Sequence, residues 1–210
     1  MNTYAIKICG LTTFDDACQA LEAGADYLGF VLYPQSPRAV TLKALESIVC
    51  RLPGTAKKVG VFVNETPEQV KEVAAVCGLA AVQLHGDEDP LAFQGMTVPV
   101  WRAVRLQEGL WKPDPWDWAP ERFVMDAASP AYGGSGVKVD WAAAEKFAAQ
   151  HWSLLAGGLD PDTVGAAIRA VCPAGVDVSS GVEAEPGRKH HAKVSAFIRA
   201  ARAAFREFAF

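Results

Sequence analysis

The stretch from residue 4 to residue 33, YAIKICGLTTFDDACQALEAGADYLGFVLY, contains the repeating unit from which we predict the fold. It starts with a short β-rich run and continues with a helical pattern that follows a threonine and ends at a glycine. A second β-rich run then closes the unit. This order is typical of two parallel strands that are joined by a right-handed helical crossover.

The same alternation continues along the chain, which has eight β-rich runs. They occupy 4–10, 26–33, 57–63, 80–86, 99–105, 122–128, 152–158 and 175–181. Eight such units fit a single-domain (β/α)8 barrel over residues 1–210, at the small end of the size range of that fold. The alternative is an open, doubly wound sheet, but the G-x-G-x-x-G pattern that would favour it is absent after the first run.

The segment that follows the fifth run departs from the pattern. Residues 106–121, LQEGLWKPDPWDWAPE, contain three prolines and three tryptophans, and proline interrupts a helix. We therefore predict a fifth helix that is shortened or replaced by an ordered loop. We expect the tryptophans to anchor this loop against the wall of the barrel.

Composition argues against several classes of protein. The five cysteines are odd in number and form no C-x-x-C pair, which argues against a disulfide framework and a zinc site. A net charge of -4 gives no indication of nucleic acid or an anionic membrane as a partner. We find no secretory signal and no apolar run of the ~20 residues that cross a bilayer. The sequence predicts a cytoplasmic protein with reduced thiols.

The alternation of side chains along a strand indicates which residues enter the barrel. In the first run we expect Ile6 and Ile8 to pack beneath the helices, so that Lys7 and Cys9 point inward. Cys9 then lies at the C-terminal end of the strand, the end at which barrel enzymes hold their active sites. A cysteine in this position is otherwise a small buried apolar residue.

The sixth run places a carboxyl group at the same end of the barrel. Phe123 and Met125 are expected to face the helices, while Val124 and Asp126 face inward. A thiol and a carboxyl group at one mouth form a plausible acid–base pair. The alternative is that Asp126 only caps the following loop.

Glycine-rich turns follow the seventh and eighth runs. They are LLAGGLDPDTV at 154–164 and DVSSGVEAEPG at 177–187. Glycine allows backbone N–H groups to approach an anion closely, and barrels often bind phosphate in these two loops. We therefore predict a phosphorylated small-molecule substrate, the alternative being glycines that serve only tight turns.

Six motifs together resemble those of the phosphoribosylanthranilate isomerase family. In chain order they are KICGLT, GFVLYPQSPR, VQLHGDE, VMDAASPAYGGSG, LLAGGLDPDTV and DVSSGVE, within the region from Lys7 to Gly187. The resemblance implies a (β/α)8 barrel isomerase of tryptophan biosynthesis. Members convert the aminoaldose N-(5-phosphoribosyl)anthranilate into an aminoketose by an Amadori rearrangement, without a metal or an organic cofactor.

The resemblance also implies roles for particular residues. Cys9 corresponds to the general base, Asp126 to the general acid, and Arg38 to the residue that meets the anthranilate carboxylate. His85 and Asp177 correspond to further positions at the rim. The glycine-rich turns supply the phosphate cradle, which consists of Gly157, Gly158, Ser180 and Gly181.

The acid–base chemistry requires shifted pKa values in the two proposed groups, Asp126 and Cys9. An acid that protonates the furanose oxygen needs a raised pKa, which we expect partial burial to give Asp126. The base that removes the C2′ proton acts as a thiolate. A positive environment, supplied by Lys7 and by the cationic Schiff base itself, is expected to lower the pKa of Cys9.

The chain departs from the family pattern at GRKHHAK, residues 187–193, where the family has lysine and then aspartate before the last helix. Lys189 and His190 are therefore given no role.

Two alternative functions remain: a related isomerase of histidine biosynthesis, which would carry aspartate in place of Cys9, and a non-catalytic phosphate-binding barrel. We expect a monomer or a homodimer.

Overall fold

The computed structural model of the chain describes residues 4–127 and 139–208. Its eleven strands are β1 (Ala5–Ile8), β2 (Tyr27–Val31), β3 (Lys58–Phe62), β4 (Ala81–Leu84), β5 (Val100–Gln107), β6 (Leu110–Lys112), β7 (Arg122–Asp126), β8 (Ser153–Leu155), β9 (Gly175–Val178), β10 (Glu183–Glu185) and β11 (Arg188–Lys189). The sixth predicted run corresponds to β7, and its last residue lies outside the described residues, as does most of the VMDAASPAYGGSG motif.

Eight of these strands form a closed parallel barrel, which confirms the predicted fold. Each of β1 to β4 pairs in parallel with the strand that follows it, and parallel pairing continues from β5 to β7, β8 and β9. The barrel closes because β1 pairs with β9 as well as with β2. The open sheet is therefore excluded. β6 is antiparallel to β5, and β10 pairs with β11 in a separate hairpin.

Within the described residues, six α-helices surround the barrel. They are α1 (Phe14–Glu22), α2 (Leu42–Val49), α3 (Pro67–Cys77), α4 (Trp141–Ala148), α5 (Val164–Val171) and α6 (His191–Arg206). The first four begin after Thr13, Thr41, Thr66 and Asp140, whose side chains accept hydrogen bonds from backbone N–H groups of the first turn. None of the helices in the described part of the chain is long and apolar enough to cross a membrane.

The two faces of the strands contribute to two separate apolar clusters. An inner cluster consists of Ala5, Tyr27, Val59, Ala81, Trp101, Val124, Leu154 and Ala156. Trp101 is fully buried, and the Tyr27 ring packs edge-on against it at 4.8 Å between centroids. The outer cluster contains Ile6, Ile8, Phe123 and Met125, as the alternation in the sequence predicts.

The segment between β5 and β7 has no α-helix, as predicted. It contains β6 and a 3-10 turn at Pro115–Asp117. Trp111 packs on Phe147 at 4.8 Å between ring centroids, and Trp118 lies under the guanidinium of Arg102 at 4.6 Å. Trp116 contributes less to this anchoring, because it is 78% exposed and touches the His151 ring edge-on, at 5.3 Å between centroids.

The fourth helix is also reduced, which the sequence patterns did not predict. Only a 3-10 turn, Pro90–Phe93, follows β4. The fully buried Arg102 of β5 donates to the Gly86 carbonyl and to Glu88 Oε2, both at 2.6 Å. Glu88 also accepts from the N–H groups of Gly86 and Asn64, at 3.0 Å each. A buried ion pair therefore holds the loop after β4.

We expect Arg102→Leu to lower the free energy of unfolding by about 3–5 kcal/mol, because it leaves the buried Glu88 carboxylate without its cation. Urea denaturation measures the change. The control is Arg169→Leu, which breaks an exposed ion pair with Glu207 at 2.9 Å and should change stability little. Equal effects of the two substitutions would contradict this assignment of the Arg102–Glu88 pair.

Candidate active site

A pocket opens among the C-terminal ends of the barrel strands. The space that it encloses, counted together with the open mouth, is about 810 Å³. The predicted site residues on its wall are Cys9, Arg38, His85, Asp126, Gly157, Gly158, Asp177 and Ser180. Gly181 is the one predicted residue that is not on the wall. The structure therefore brings together residues that are far apart in the sequence.

Cys9 follows β1 and lies above a buried ion pair. Its N–H group donates to the Val178 carbonyl at 2.8 Å, which holds the residue against β9. The fully buried Lys7, two residues earlier, places its Nζ 2.9 Å from Asp177 Oδ2. Gly29 of β2 makes room for both side chains. A Cβ atom there would lie 2.8 Å from the Cys9 sulfur and 2.9 Å from Lys7 Cε.

Burial raises the pKa of the Cys9 thiol above its ordinary value, although the positive charge of Lys7 acts in the opposite direction. The negative charge of Asp177 adds to the increase. In the chain without a bound Schiff base, the charge of Lys7 therefore does not give the net lowering that we expected. Lys7 is paired with Asp177 and offsets only part of the desolvation of the thiol.

Asp126 ends β7 on the wall of the same pocket. Its Oδ1 accepts from the Ala127 N–H at 2.8 Å, and its Oδ2 lies 3.2 Å from His85 Nε2. Burial acts to raise the pKa of Asp126, but the hydrogen bond and charge of His85, the Ala127 N–H and Arg105 together lower it. The expected net increase is therefore wrong, because the carboxylate has specific donors.

His85 is fixed from two sides. Gln83, which is 2% exposed, places its Nε2 3.4 Å from His85 Nδ1. The guanidinium of Arg105 donates to the His85 carbonyl at 2.5 Å. An amide that donates to Nδ1 favours the tautomer with its proton on Nε2, which is the nitrogen nearest Asp126.

Arg38 lines the pocket, but it also has a partner within the chain. Its Nε and Nη2 donate to the two oxygens of Glu183, at 2.8 Å and 2.7 Å. Lys189 donates to Glu183 Oε1 at 2.8 Å and to the Ser179 carbonyl at 3.1 Å. The sequence patterns assign no role to Glu183, although it ends the DVSSGVE motif. They assign none to Lys189 either, because its neighbours depart from the family pattern.

The departure from the family pattern before α6 is compensated by a residue of α1. His190 occupies the cap position of α6 without a side-chain cap bond. Asp16 accepts instead from the Lys189 N–H at 3.1 Å, and its other oxygen lies 2.8 Å from His191 Nε2. Asp16 therefore orders the chain at the start of α6.

The glycine-rich turns lie side by side at one end of the pocket. A Cβ atom at Gly181 would lie 1.9 Å from the Leu159 carbonyl oxygen, and one at Gly157 would lie 2.7 Å from the Ala127 nitrogen. Gly157 and Gly158 have φ values of +74° and +65°, which glycine adopts without strain. Gly181 therefore serves the close packing of the two turns, while Gly157, Gly158 and Ser180 reach the pocket.

No group of three or more histidine, cysteine, aspartate or glutamate residues that could hold a metal ion occurs within residues 4–127 and 139–208. The pocket wall carries the thiol of Cys9, the carboxylate of Asp126 beside the imidazole of His85, the carboxylate of Asp177 and the guanidinium of Arg38. Together these groups can move protons and bind anions.

Comparisons with known proteins agree with this geometry. The model of the family described as N-(5'phosphoribosyl)anthranilate (PRA) isomerase matches residues 6–200. The N-(5'-phosphoribosyl)anthranilate isomerase of Trichlorobacter lovleyi is 46% identical over 201 residues, which cover 95% of this chain and 98% of the relative.

Solved structures of the same kind superimpose on this chain. Phosphoribosyl anthranilate isomerase from Thermotoga maritima has a TM-score of 0.84 and 37% identity, over 95% of this chain and 99% of that one. A phosphoribosyl anthranilate isomerase in complex with reduced 1-(o-carboxyphenylamino)-1-deoxyribulose 5-phosphate has a TM-score of 0.80 and 34% identity, with the same coverage. The chain belongs to the N-(5'-phosphoribosyl)anthranilate isomerase family.

Proposed function

We propose that the pocket binds N-(5-phosphoribosyl)anthranilate and converts it into 1-(2-carboxyphenylamino)-1-deoxyribulose 5-phosphate, a step of tryptophan biosynthesis. The observation that carries the proposal is that Cys9 and the Asp126–His85 pair line one pocket. Arg38 and the glycine-rich turns supply sites for the two anionic ends of this substrate. We further propose that the protein acts in the cytoplasm as one barrel domain. The described residues that line the pocket belong to one chain, which is compatible with a monomer or a homodimer.

In the first step Asp126 protonates the furanose ring oxygen. The anilinic nitrogen donates its electron pair to C1′, the bond between C1′ and the ring oxygen breaks, and a protonated Schiff base forms. The Asp126–His85 pair supplies the proton, because His85 Nε2 lies 3.2 Å from the carboxylate and can return a proton to it.

In the second step Cys9 removes the proton from C2′. The electron pair of the C2′–H bond forms the C1′–C2′ double bond, which neutralises the Schiff base and leaves an enolamine. Tautomerisation of the enolamine gives the aminoketose. The cationic Schiff base favours the thiolate at this stage, which offsets the burial that raises the pKa of Cys9.

The related isomerase of histidine biosynthesis is the less favoured reading, because its family carries aspartate at the position of Cys9. A non-catalytic barrel would not require Cys9 and Asp126 to line the same pocket.

Loss of the fluorescence of phosphoribosylanthranilate on addition of purified protein tests the proposal directly. Absence of turnover with this substrate would overturn it.

We expect Cys9→Ala to lower kcat by roughly 10²–10⁴-fold, because the C2′ proton then has no positioned base. The affinity for the reduced product analogue should change little, since Arg38 and the glycine-rich turns remain. Stopped-flow fluorescence and equilibrium titration measure the two quantities. Cys77→Ala is the matched control, because Cys77 is also buried but lies in α3. A Cys9→Ala variant as active as this control would assign Cys9 a structural role.

Asp126→Asn should lower kcat by at least ~10²-fold, because an amide accepts hydrogen bonds but cannot deliver the proton. The exposed Asp162, in the loop after β8, provides the control substitution Asp162→Asn. In Asp126→Asn, the affinity for the reduced product analogue and the melting temperature should stay close to those of the unsubstituted protein. If Asp126→Asn melts much earlier while turnover per folded molecule survives, Asp126 caps the loop and the acid lies elsewhere.

We expect Lys7→Met to raise the pKa of Cys9 further, because it removes a charge that lowers this pKa and leaves Asp177, which raises it. The inflection in the pH profile of Cys9 alkylation should therefore move to higher pH. Mass spectrometry follows the reaction, with the exposed Cys50 as internal reference. Lys71→Met, at an exposed position of α3, is the control. An unchanged profile for Lys7→Met would show that Lys7 does not act on the thiol.

A further inference from the structure

The β10–β11 hairpin places two charged side chains against Arg38. Glu183 begins β10 and Lys189 ends β11, and the two residues are register partners in the hairpin. Both are buried, with 8% and 6% of their surfaces exposed. The neighbouring Glu185 of the same strand points to solvent. The hairpin therefore presents one carboxylate and one ammonium group to the pocket wall and leaves the other carboxylate outside.

The carboxylate of Glu183 is saturated with donors. Its Oε1 accepts from Arg38 Nε and Lys189 Nζ, both at 2.8 Å, and from the Gly187 N–H at 3.4 Å. Its Oε2 accepts from Arg38 Nη2 at 2.7 Å. No described residue accepts a hydrogen bond from the remaining terminal nitrogen of Arg38, Nη1. The paired edge of the guanidinium fixes its plane. Arg38 also lines the pocket, so no described side chain competes with a ligand there for Nη1.

The charges of this cluster do not cancel. Arg38 and the protonated Lys189 carry two positive charges, and Glu183 carries one negative charge. Burial lowers the pKa of Lys189, although the charge and hydrogen bond of Glu183 act to raise it. The pKa of Glu183 is lowered: burial raises it, but the hydrogen bond from Arg38 and the charge of Lys189 outweigh burial, so the carboxylate stays ionised at neutral pH. One net positive charge remains, and a single incoming carboxylate neutralises it. An uncharged ring substituent would leave it uncompensated.

The hairpin is tied to the segments that flank the site. The Gly187 carbonyl accepts from the Thr12 hydroxyl at 2.5 Å, just after Cys9. The Lys189 N–H donates to Asp16, and its ammonium group donates to the Ser179 carbonyl. A Cβ atom at Gly187 would lie 3.3 Å from the Pro37 carbonyl oxygen, so the turn lies against the residue before Arg38. These contacts hold Glu183 in a fixed place relative to Cys9 and Arg38.

We propose that Glu183, held by Lys189, is the positioning residue that orients Arg38 toward the aromatic carboxylate of the substrate, so that the β10–β11 hairpin determines selectivity for a carboxylated ring. This inference rests on the proposed function, because it assumes that Arg38 meets that carboxylate. Glu183 does not touch the reacting atoms. It acts by restricting the guanidinium to one plane and by limiting the cluster to one excess positive charge.

The test compares two substrates in variants of Glu183. The substrates are N-(5-phosphoribosyl)anthranilate and the analogue in which aniline replaces anthranilate. For Glu183→Gln we expect KM for the anthranilate substrate to rise at least about tenfold, the usual effect of misplacing a charge-assisted contact. The rise with the aniline analogue should be much smaller. The ratio of kcat/KM for the anthranilate substrate to kcat/KM for the aniline analogue should therefore fall toward the value in Arg38→Ala.

Glu185→Gln is the matched control, because it makes the same chemical change two residues along the same strand at an exposed position. It should leave the ratio unchanged. If Glu183→Gln does not fold, Glu183→Asp replaces it. This variant keeps the negative charge beside Arg38 and Lys189 but shortens the side chain by one methylene, so it cannot hold both guanidinium nitrogens in the same geometry. We expect it to lower the ratio while retaining a melting temperature close to that of the control.

Three results would overturn the inference. Equal losses with both substrates would assign Glu183 a purely structural role. A lower KM for the anthranilate substrate would show that Glu183 competes with the substrate for Arg38 instead of orienting it. An unchanged ratio in Glu183→Asp and Glu183→Gln, with a reduced ratio in Arg38→Ala, would remove the role of Glu183 and leave that of Arg38 intact. By contrast, an unchanged ratio in Arg38→Ala would contradict the assignment of Arg38 itself.

Discussion

The ion pair between Lys7 and Asp177 is the interaction on which the geometry of the site depends. The two residues are register partners across β1 and β9, where the last strand of the barrel meets the first. Their charged atoms are 2.9 Å apart in a position without solvent access to Lys7. An unpaired charge at such a depth costs several kcal/mol, so the pair favours the one register in which both charges meet. Cys9, two residues beyond Lys7, is positioned by that same register.

The pKa values of the two proton-transfer groups are shifted in the directions opposite to those that their proposed roles favour. Burial favours the neutral thiol of Cys9, whereas His85, the Ala127 N–H and Arg105 favour the ionised carboxylate of Asp126. A carboxylate with an imidazole 3.2 Å away can still receive a proton when negative charge enters the pocket. The positive charge of a Schiff base then stabilises the thiolate. The chemistry we propose therefore relies on charges that the substrate itself brings.

Ion pairs and aromatic side chains replace helices on one side of the barrel. Arg102 crosses the region after β4 to reach Glu88 and the Gly86 carbonyl, and Trp118 covers its guanidinium. The same loop carries His85, whose carbonyl accepts from Arg105. Two arginines of β5, on opposite faces of that strand, thus hold the loop that places His85 beside Asp126. β5 therefore connects the packing outside the barrel with the position of His85 beside Asp126, the proposed acid.

The sequence by itself determined the barrel and the mouth at which the site lies. Alternating strand and helix patterns predict parallel strands, and the alternation of Ile6, Lys7, Ile8 and Cys9 indicates which side chains enter the barrel, because both signals are local properties of the chain. Only the tertiary structure decided which side chains contact one another. Glu183 meets Arg38 across 145 positions of sequence, and Asp16 orders the start of α6 from α1. The directions of the Cys9 and Asp126 pKa shifts also follow from tertiary structure, because desolvation and charge depend on which groups the folded chain brings within a few ångströms.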